Sequence, residues 1–136
     1  MVKVTSKKQP VILLIDDDPD FVVATRTVLE SNGYAVETAD NGDSGLKKAR
    51  EKRPDLIILD IIMPMKNGIS ACDELKRDPV LSKIPVLMLT SLAQKMGETE
   101  ISRADVMSLD AEDYIDKPVA PEELLKRVAK LLSKPK

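Results

Sequence analysis

Two short apolar runs in this chain each end in carboxylates. Val11–Ile15 is followed by Asp16–Asp18, and Leu56–Leu59 is followed by Asp60. Carboxylates that meet at the end of buried strands repel one another unless a cation or a phosphoryl group lies between them. Carboxylate oxygens are ligands that Mg²⁺ prefers, and a carboxylate can also act as a nucleophile that forms an aspartyl-phosphate. The pattern therefore indicates a metal site together with a possible nucleophile.

The residue counts exclude several classes of protein. The 136 residues include no histidine, so the chain has no Ser-His-Asp triad, no histidine-ligated zinc and no phosphohistidine. Its one cysteine, Cys72, is predicted to be a core thiol on a helix, and a cytoplasmic location follows as the default. Chemistry on this chain must therefore use carboxylates, hydroxyls and lysine.

Charge and hydropathy exclude two further kinds of partner. The formal net charge of −2 argues against direct binding of nucleic acid, which calls for a clustered basic surface. No apolar stretch approaches the ~18 to 20 residues of a membrane span, and Met1–Pro10 lacks the apolar core of a signal peptide.

Five strands are predicted, and they alternate with segments of helical periodicity. The strands are Val11–Asp16, Tyr34–Ala39, Asp55–Asp60, Ile84–Thr90 and Glu112–Asp116. The first, third and fourth contain nearly continuous apolar runs, which is typical of central strands covered on both faces in a parallel sheet. The second and fifth are more polar and are predicted to lie at the edges.

Four helices are predicted from apolar stripes between or after these strands. Their apolar positions are Phe21, Ala24, Thr25, Val28 and Leu29; Leu46 and Ala49; Ile69, Cys72 and Leu75; and Leu124, Leu125, Val128, Leu131 and Leu132. Asp18-Pro19 begins the first helix and Asn32-Gly33 ends it, whereas Gly45 lowers the helix propensity of the second. The segment Ala93–Asp110 has only a short apolar face and is left undecided.

This alternation predicts an α/β fold, a doubly wound (βα)5 sandwich of the flavodoxin-like type. Its five-stranded parallel sheet would have the order 2-1-3-4-5. Strands 1 and 3 are neighbours in that order, so Asp16–Asp18 and Asp60 would converge at the carboxyl edge of the sheet, where such folds place their ligands. Residues 10–133 are expected to form this domain, with tails at 1–9 and 134–136.

The motifs at the predicted strand ends resemble those of response regulator receiver domains, including the chemotaxis receivers. The resemblance covers roughly residues 10 to 133 and is carried by Leu14–Asp18, Asp60–Pro64 with Gly68, Thr90, and Tyr114–Pro118. Each motif is weak alone, but the set in this order and spacing is specific.

The resemblance implies a role for each matching residue. It makes Asp60 the phosphoacceptor and also a ligand of Mg²⁺. The other ligands would be Asp17, which binds directly, Asp16, which supports, and the main-chain carbonyl of Ile62. It makes Thr90 and Lys117 the groups that contact the phosphoryl oxygens.

Further roles follow from the same resemblance. Thr90 and Tyr114 would form the switch pair, and a cis peptide bond would precede Pro118. Asp18 has no site role in the family and is predicted to cap the first helix.

The function implied is that of a phosphorylation switch in a two-component or phosphorelay pathway, not that of an enzyme beyond self-catalysed phosphotransfer and slow autodephosphorylation. A histidine kinase, a phosphotransfer protein or a small donor such as acetyl phosphate would supply the phosphoryl group in trans. In the family, the fourth helix, the fifth strand and the fifth helix form the output face, which would contact an unknown downstream protein.

Two alternatives and two departures from the family remain at this stage. A haloacid-dehalogenase-like phosphatase also uses an aspartate nucleophile after an apolar strand; Asp16 and Asp18 would be its Asp-x-Asp motif, with Thr90 and Lys117 as later motifs. A pseudo-receiver would act as a binding module only. Asp110-Ala111 stands where common members have Gly-Ala, and the segment Ser91–Asp113 is longer than in compact receivers. Whether the chain stands alone or is a piece of a longer protein stays open.

Overall fold

A computed structural model of the chain describes residues 9–61, 68–90 and 111–133. The strands are β1 (Val11–Ile15), β2 (Ala35–Ala39), β3 (Leu56–Asp60), β4 (Val86–Thr90) and β5 (Asp113–Asp116). The helices are α1 (Pro19–Ser31), α2 (Gly42–Lys52), α3 (Gly68–Arg77) and the C-terminal helix α4 (Pro121–Leu132), with a 3-10 turn at Leu81–Lys83. Among these helices none is long and apolar enough to cross a membrane.

The five strands form one parallel sheet in the order β2-β1-β3-β4-β5, which confirms the predicted fold and strand order. The three nearly continuous apolar runs are the central strands, and the two more polar strands are the edges. Every strand begins and ends within two residues of the prediction. The largest difference is at β4, which begins at Val86 because Ile84 closes the preceding turn through a hydrogen bond to the Leu81 carbonyl (3.0 Å).

The central strands are apolar throughout because both faces of the sheet are covered. Alternate residues of β1 and β3 contribute to two separate cores. Leu13, Ile15, Ile57 and Leu59 pack with α2 and α3, whereas Ile12, Leu14, Leu56 and Ile58 pack with α1 and α4. Polar residues at the ends of these strands are therefore held on a rigid, doubly covered frame.

The ends of α1 confirm the predicted start and stop signals. Asp18 is the N-cap and accepts hydrogen bonds from the amides of Asp20 (3.1 Å) and Phe21 (3.3 Å). Gly33, directly after the C-cap, has a φ of 93°, a left-handed conformation that a glycine adopts without steric cost. Ala24 departs from the prediction, since it is exposed rather than buried.

Two further helix predictions concern α2 and α3. Gly45 is buried where α2 packs on β1, and an added Cβ would lie 2.9 Å from Cγ1 of Ile15. The glycine that weakens the helix by propensity thus allows close approach of helix and sheet. Cys72 is buried in the core on the α3 side of the sheet, which confirms the predicted core thiol.

Candidate functional site

Three carboxylates meet at the carboxyl edge of the sheet. Asp16 and Asp17 follow β1, Asp60 ends the neighbouring β3, and one oxygen from each side chain lies within 4.8 Å of the others. Asp16 and Asp60 are each only 1% exposed, whereas Asp17 is exposed. Two buried carboxylates this close need a compensating positive charge.

Lys117 supplies positive charge to this cluster. Its Nζ lies 2.8 Å from Oδ2 of Asp16 and 3.6 Å from Oδ2 of Asp60. The same ammonium lies 4.3 Å from the centroid of the Phe21 ring, a cation–π distance. The Lys117-Pro118 bond is cis, as the sequence resemblance implied. Lys117 is thus held between two carboxylates and an aromatic face.

The cluster changes the acid–base behaviour of Lys117. Burial by itself lowers the pKa of this ammonium, but the hydrogen bond to Asp16 and the charges of Asp60, Asp16 and Asp18 outweigh the burial. The net effect raises the pKa of Lys117 above its usual value. The side chain therefore stays charged throughout the neutral range.

The two oxygens of Asp16 have different partners. Oδ2 accepts from Lys117, and Oδ1 accepts from the amide of Asp18 at 2.9 Å. Asp17 carries the exposed carboxylate of the cluster. The arrangement distinguishes a buried, hydrogen-bonded aspartate from one that faces the solvent, and it offers three oxygen ligands to a hard cation.

Thr90 ends β4, next to β3, and is 4% exposed. Asp60 is in register with Leu89, so Thr90 lies on the neighbouring strand, one residue further toward the carboxyl end of the sheet than Asp60. Its hydroxyl donates a hydrogen bond to Oδ1 of Asp116 at 2.8 Å. Asp116 is the last residue of β5 and is in register with Thr90. Asp116 has no role among the sequence-based predictions, although the predicted strand order and its position directly before Lys117 place it beside Thr90.

Tyr114 lies in the middle of β5, in register with Met88, and its side chain packs half-buried against the core on the α2 and α3 side. Its main-chain oxygen accepts a hydrogen bond from Nη1 of Arg127 at 3.1 Å. The same Nη1 donates to Asp113 at 2.9 Å. Arg127 thus ties the edge strand β5 to α4, a contact that the helical pattern alone did not reveal.

Part of the predicted site lies outside the described residues. The structure does not describe Ile62, whose carbonyl was predicted to be a metal ligand, or Met63 and Pro64. The undecided segment Ala93–Asp110 and the Asp110 turn position are also outside.

An open cleft of about 480 Å³ adjoins two of the three carboxylates, those of Asp16 and Asp17. It is lined by Asp16 and Asp17 on one side and by Thr38, Ser44 and Lys48 of the neighbouring β2 and α2 on the other. The exposed side of the cluster therefore faces a space that a small reactant can enter.

The sequence and the structure both resemble known proteins. Residues 12–129 match the family profile of the response regulator receiver domain. The chain is 37% identical over 121 residues to the alkaline phosphatase synthesis transcriptional regulatory protein PhoP of Bacillus subtilis, which covers 89% of this chain and 48% of PhoP. It is 36% identical over 122 residues to protein PilH of Pseudomonas aeruginosa, which covers 90% of this chain and 97% of PilH. The chain thus spans about half the length of PhoP and nearly all of PilH.

A solved structure shares the fold and contains a metal. The receiver domain of a sensor histidine kinase of Pseudomonas aeruginosa PAO1 aligns with a TM-score of 0.83 at 25% identity, over 93% of this chain and 99% of that domain. That domain has a magnesium ion coordinated in its active site cleft.

Proposed function

The chain belongs to the response regulator receiver domain family, and on that premise we propose that it is a phosphorylation switch whose phosphoacceptor is Asp60. Receiver domains are signalling domains rather than enzymes of small-molecule turnover. The observation that carries the proposal is the environment of Asp60: a buried carboxylate at a strand end, with the Lys117 ammonium 3.6 Å away and two further aspartates within 4.8 Å.

The reaction is a transfer of a phosphoryl group to the Asp60 carboxylate. A carboxylate oxygen attacks the phosphorus of the donor, the new P–O bond forms, and the bond from phosphorus to the donor nitrogen or oxygen breaks. The leaving group takes the electron pair of that bond. The chain contributes mainly by positioning the nucleophile and by balancing charge.

The donor set fits Mg²⁺. Asp16, Asp17 and Asp60 present oxygens within 4.8 Å of one another, and hard divalent cations prefer such ligands. Asp17 would be a direct ligand, Asp16 a supporting one, and the Ile62 carbonyl would complete the protein ligands. The exposure of Asp17 and the two hydrogen bonds that Asp16 already accepts support this division. When bound, the ion would neutralise the carboxylates and the phosphoryl oxygens.

Lys117 would provide the second positive charge for the phosphoryl group. Its ammonium is a mobile point charge on a flexible stem, so it can move from Asp16 to an incoming oxygen without a change of backbone. The Phe21 ring adds a cation–π contact that favours a position of the ammonium beside the carboxylates.

Thr90 and Tyr114 would report the phosphorylated state. Thr90 would donate its hydroxyl to a phosphoryl oxygen, and Tyr114 would then change its packing on β5. A rearrangement of this kind biases a two-state element and can be read by a partner.

The partners follow from the chemistry. The chain has no histidine, so a phosphohistidine donor must be a histidine kinase or a phosphotransfer protein acting in trans. A cytoplasmic location fits such donors. Output would go to a downstream protein through the face of the expected fourth helix, the fifth strand and the fifth helix. Of these, β5 and the C-terminal helix α4 are described, and the segment 91–110 before β5 lies outside the described residues.

Neither alternative function is supported. The phosphatase hypothesis needs Asp18 as a catalytic partner, but Asp18 is the N-cap of α1 and accepts two of its amides. The pseudo-receiver hypothesis needs an incomplete site, yet Lys117 and the three aspartates are assembled in one cluster.

Intact mass after incubation with acetyl phosphate tests the proposal. We expect a single phosphoryl adduct that depends on Mg²⁺ and that Asp60→Asn abolishes. Asp18→Asn is the matched control, because asparagine caps a helix as well as aspartate does, and it should retain the adduct. Loss of the adduct in Asp18→Asn but not in Asp60→Asn would contradict Asp60 as the phosphoacceptor.

A further inference from the structure

The hydroxyl of Thr90 is already engaged in the structure. It donates to Oδ1 of Asp116 at 2.8 Å, across the pair of strands formed by β4 and β5. The main-chain amide of Lys117 also donates to the Thr90 carbonyl at 2.7 Å. The backbone of Thr90 is thus held in the sheet, and its side chain is the part that can change partners.

A threonine hydroxyl has one proton, so it can donate only one full hydrogen bond at a time. If Thr90 is to donate to a phosphoryl group on Asp60, the bond to Asp116 must break. The two acceptors are both anionic, and bonds to ionised oxygens are the stronger kind. Asp116 therefore competes with the phosphoryl group on comparable terms, whereas an apolar residue at this position would not compete.

The geometry points to Asp116 as a positioning residue that holds the Thr90 hydroxyl in the unphosphorylated arrangement and so sets how strongly the site retains a phosphoryl group. This inference rests on the proposed function of Asp60 and names a regulator of the same site. Asp116 is exposed at the sheet edge and Thr90 is buried, so the contact joins the interior of the site to the surface.

Beryllofluoride, which mimics a phosphoryl group on a carboxylate, provides the test. Its dissociation constant is measured in Mg²⁺ by NMR titration of the full chain. We expect Asp116→Ala to bind about 5-fold more tightly than wild type, because a net hydrogen bond of about 1 kcal/mol no longer opposes the move of Thr90. Asp116→Asn keeps an uncharged acceptor and should fall between the two.

A double-mutant cycle separates positioning from simple charge repulsion. Thr90→Val removes the hydroxyl, and in that background Asp116→Ala should leave the dissociation constant unchanged. An equal tightening in both backgrounds would mean that Asp116 acts through its charge alone and would overturn the inference. An unchanged or weaker affinity of Asp116→Ala in the presence of Thr90 would overturn it as well.

The wild type distinguishes failure of the inference from failure of the proposed function. If wild type binds beryllofluoride and accepts a phosphoryl group while the cycle shows no coupling, only the role of Asp116 is wrong. If wild type does neither, the proposed function fails, and the role of Asp116 fails with it. Asp116→Asn preserves the shape of the side chain and serves in the cycle if the alanine variant does not fold.

Discussion

Replacing Lys117 with methionine removes the ammonium between two buried carboxylates and keeps most of the stem. The lost contacts are those to Asp16 at 2.8 Å and to Asp60 at 3.6 Å. Without the ammonium, Lys117 no longer offsets the repulsion between the two carboxylates. We therefore expect the variant to be less stable than wild type at neutral pH when divalent cations are absent.

The size of the effect follows from the distances. At an effective dielectric constant of ~20, the two attractions are ~6 and ~5 kcal/mol, and the cost of burying the ammonium offsets most of this gain. Removing one partner of a buried ion pair typically costs about 3–5 kcal/mol. The Lys117 side chain is 15% exposed, so the lower end applies, about 3 kcal/mol. At a urea dependence of ~1.5 kcal/mol/M, the unfolding midpoint would fall by about 2 M.

Urea unfolding followed by circular dichroism, with chelator or with excess Mg²⁺, measures this effect. We expect Mg²⁺ to stabilise Lys117→Met more than wild type, because the cation would replace the missing positive charge beside the same carboxylates. Lys126→Met is the matched control, since Lys126 is an exposed lysine of α4, and its midpoint should not change.

Two results would refute this reasoning. One is an unfolding midpoint of Lys117→Met equal to that of wild type in chelator. The other is an equal gain from Mg²⁺ in both proteins, which would mean that the ammonium and the cation do not share the carboxylates.

The pH dependence of the same comparison has a defined sign. The pKa of Lys117 is raised above its ordinary value in the folded chain. Its contribution to stability is therefore fully present below the unfolded pKa and is lost as the pH rises through the folded pKa. The stability gap between wild type and Lys117→Met should therefore persist across the neutral range and narrow only in strongly alkaline solution; narrowing at neutral pH would contradict the assigned contacts.

Three further predictions concern stability. Gly45→Ala should destabilise the chain by about 1 kcal/mol in urea unfolding. The new Cβ would lie 2.9 Å from Cγ1 of Ile15, and this steric clash outweighs the improved helix propensity of alanine. A gain in stability would show that Ile15 moves freely. Glu112→Ala should lower the free energy of unfolding by about 1–3 kcal/mol, since Glu112 accepts a hydrogen bond from the buried amide of Val86 at 2.7 Å. Hydrogen exchange at that amide should become faster. Glu112→Gln keeps an acceptor and should lower the free energy of unfolding less. Asp78 accepts hydrogen bonds from the amides of Leu81 (3.0 Å) and Val80 (2.8 Å), and these bonds lower the pKa of its carboxyl group. Its contribution to stability is therefore present above the unfolded pKa and is lost as the pH falls through the folded pKa. Asp78→Ala should lower the melting temperature at neutral pH but not in strong acid; equal differences at both would mean that these two hydrogen bonds are not the cause.

The strand pattern was predictable because it depends on burial along the chain. A continuous apolar run can be buried only between two covered faces, and β1, β3 and β4 are the covered strands. Strand bounds were less predictable, since the beginning of β4 depends on the turn hydrogen bond between Ile84 and Leu81.

The positions of the carboxylates were also predictable from the order of residues. Parallel strands bring their carboxyl ends to one edge, so Asp16, Asp17 and Asp60 had to lie near one another once the order 2-1-3-4-5 was assumed. Capping of α1 by Asp18 followed from local chemistry in the same way.

The partners of individual side chains depend on distances that the order of residues does not contain. Lys117 and Asp16 are 101 positions apart in the sequence, and their contact measures 2.8 Å. The contact exists because β1, β3, β4 and β5 lie side by side in the sheet and bring their carboxyl ends together. The hydrogen bond from Thr90 to Asp116 and the close approach of Gly45 to Ile15 arise in the same manner. Continuous apolar runs that end in carboxylates were enough to predict the parallel sheet and its acidic edge. Only the packed fold determined how side chains pair across neighbouring strands and helices. This pairing decides which group each side chain at the acidic edge donates to and which it repels.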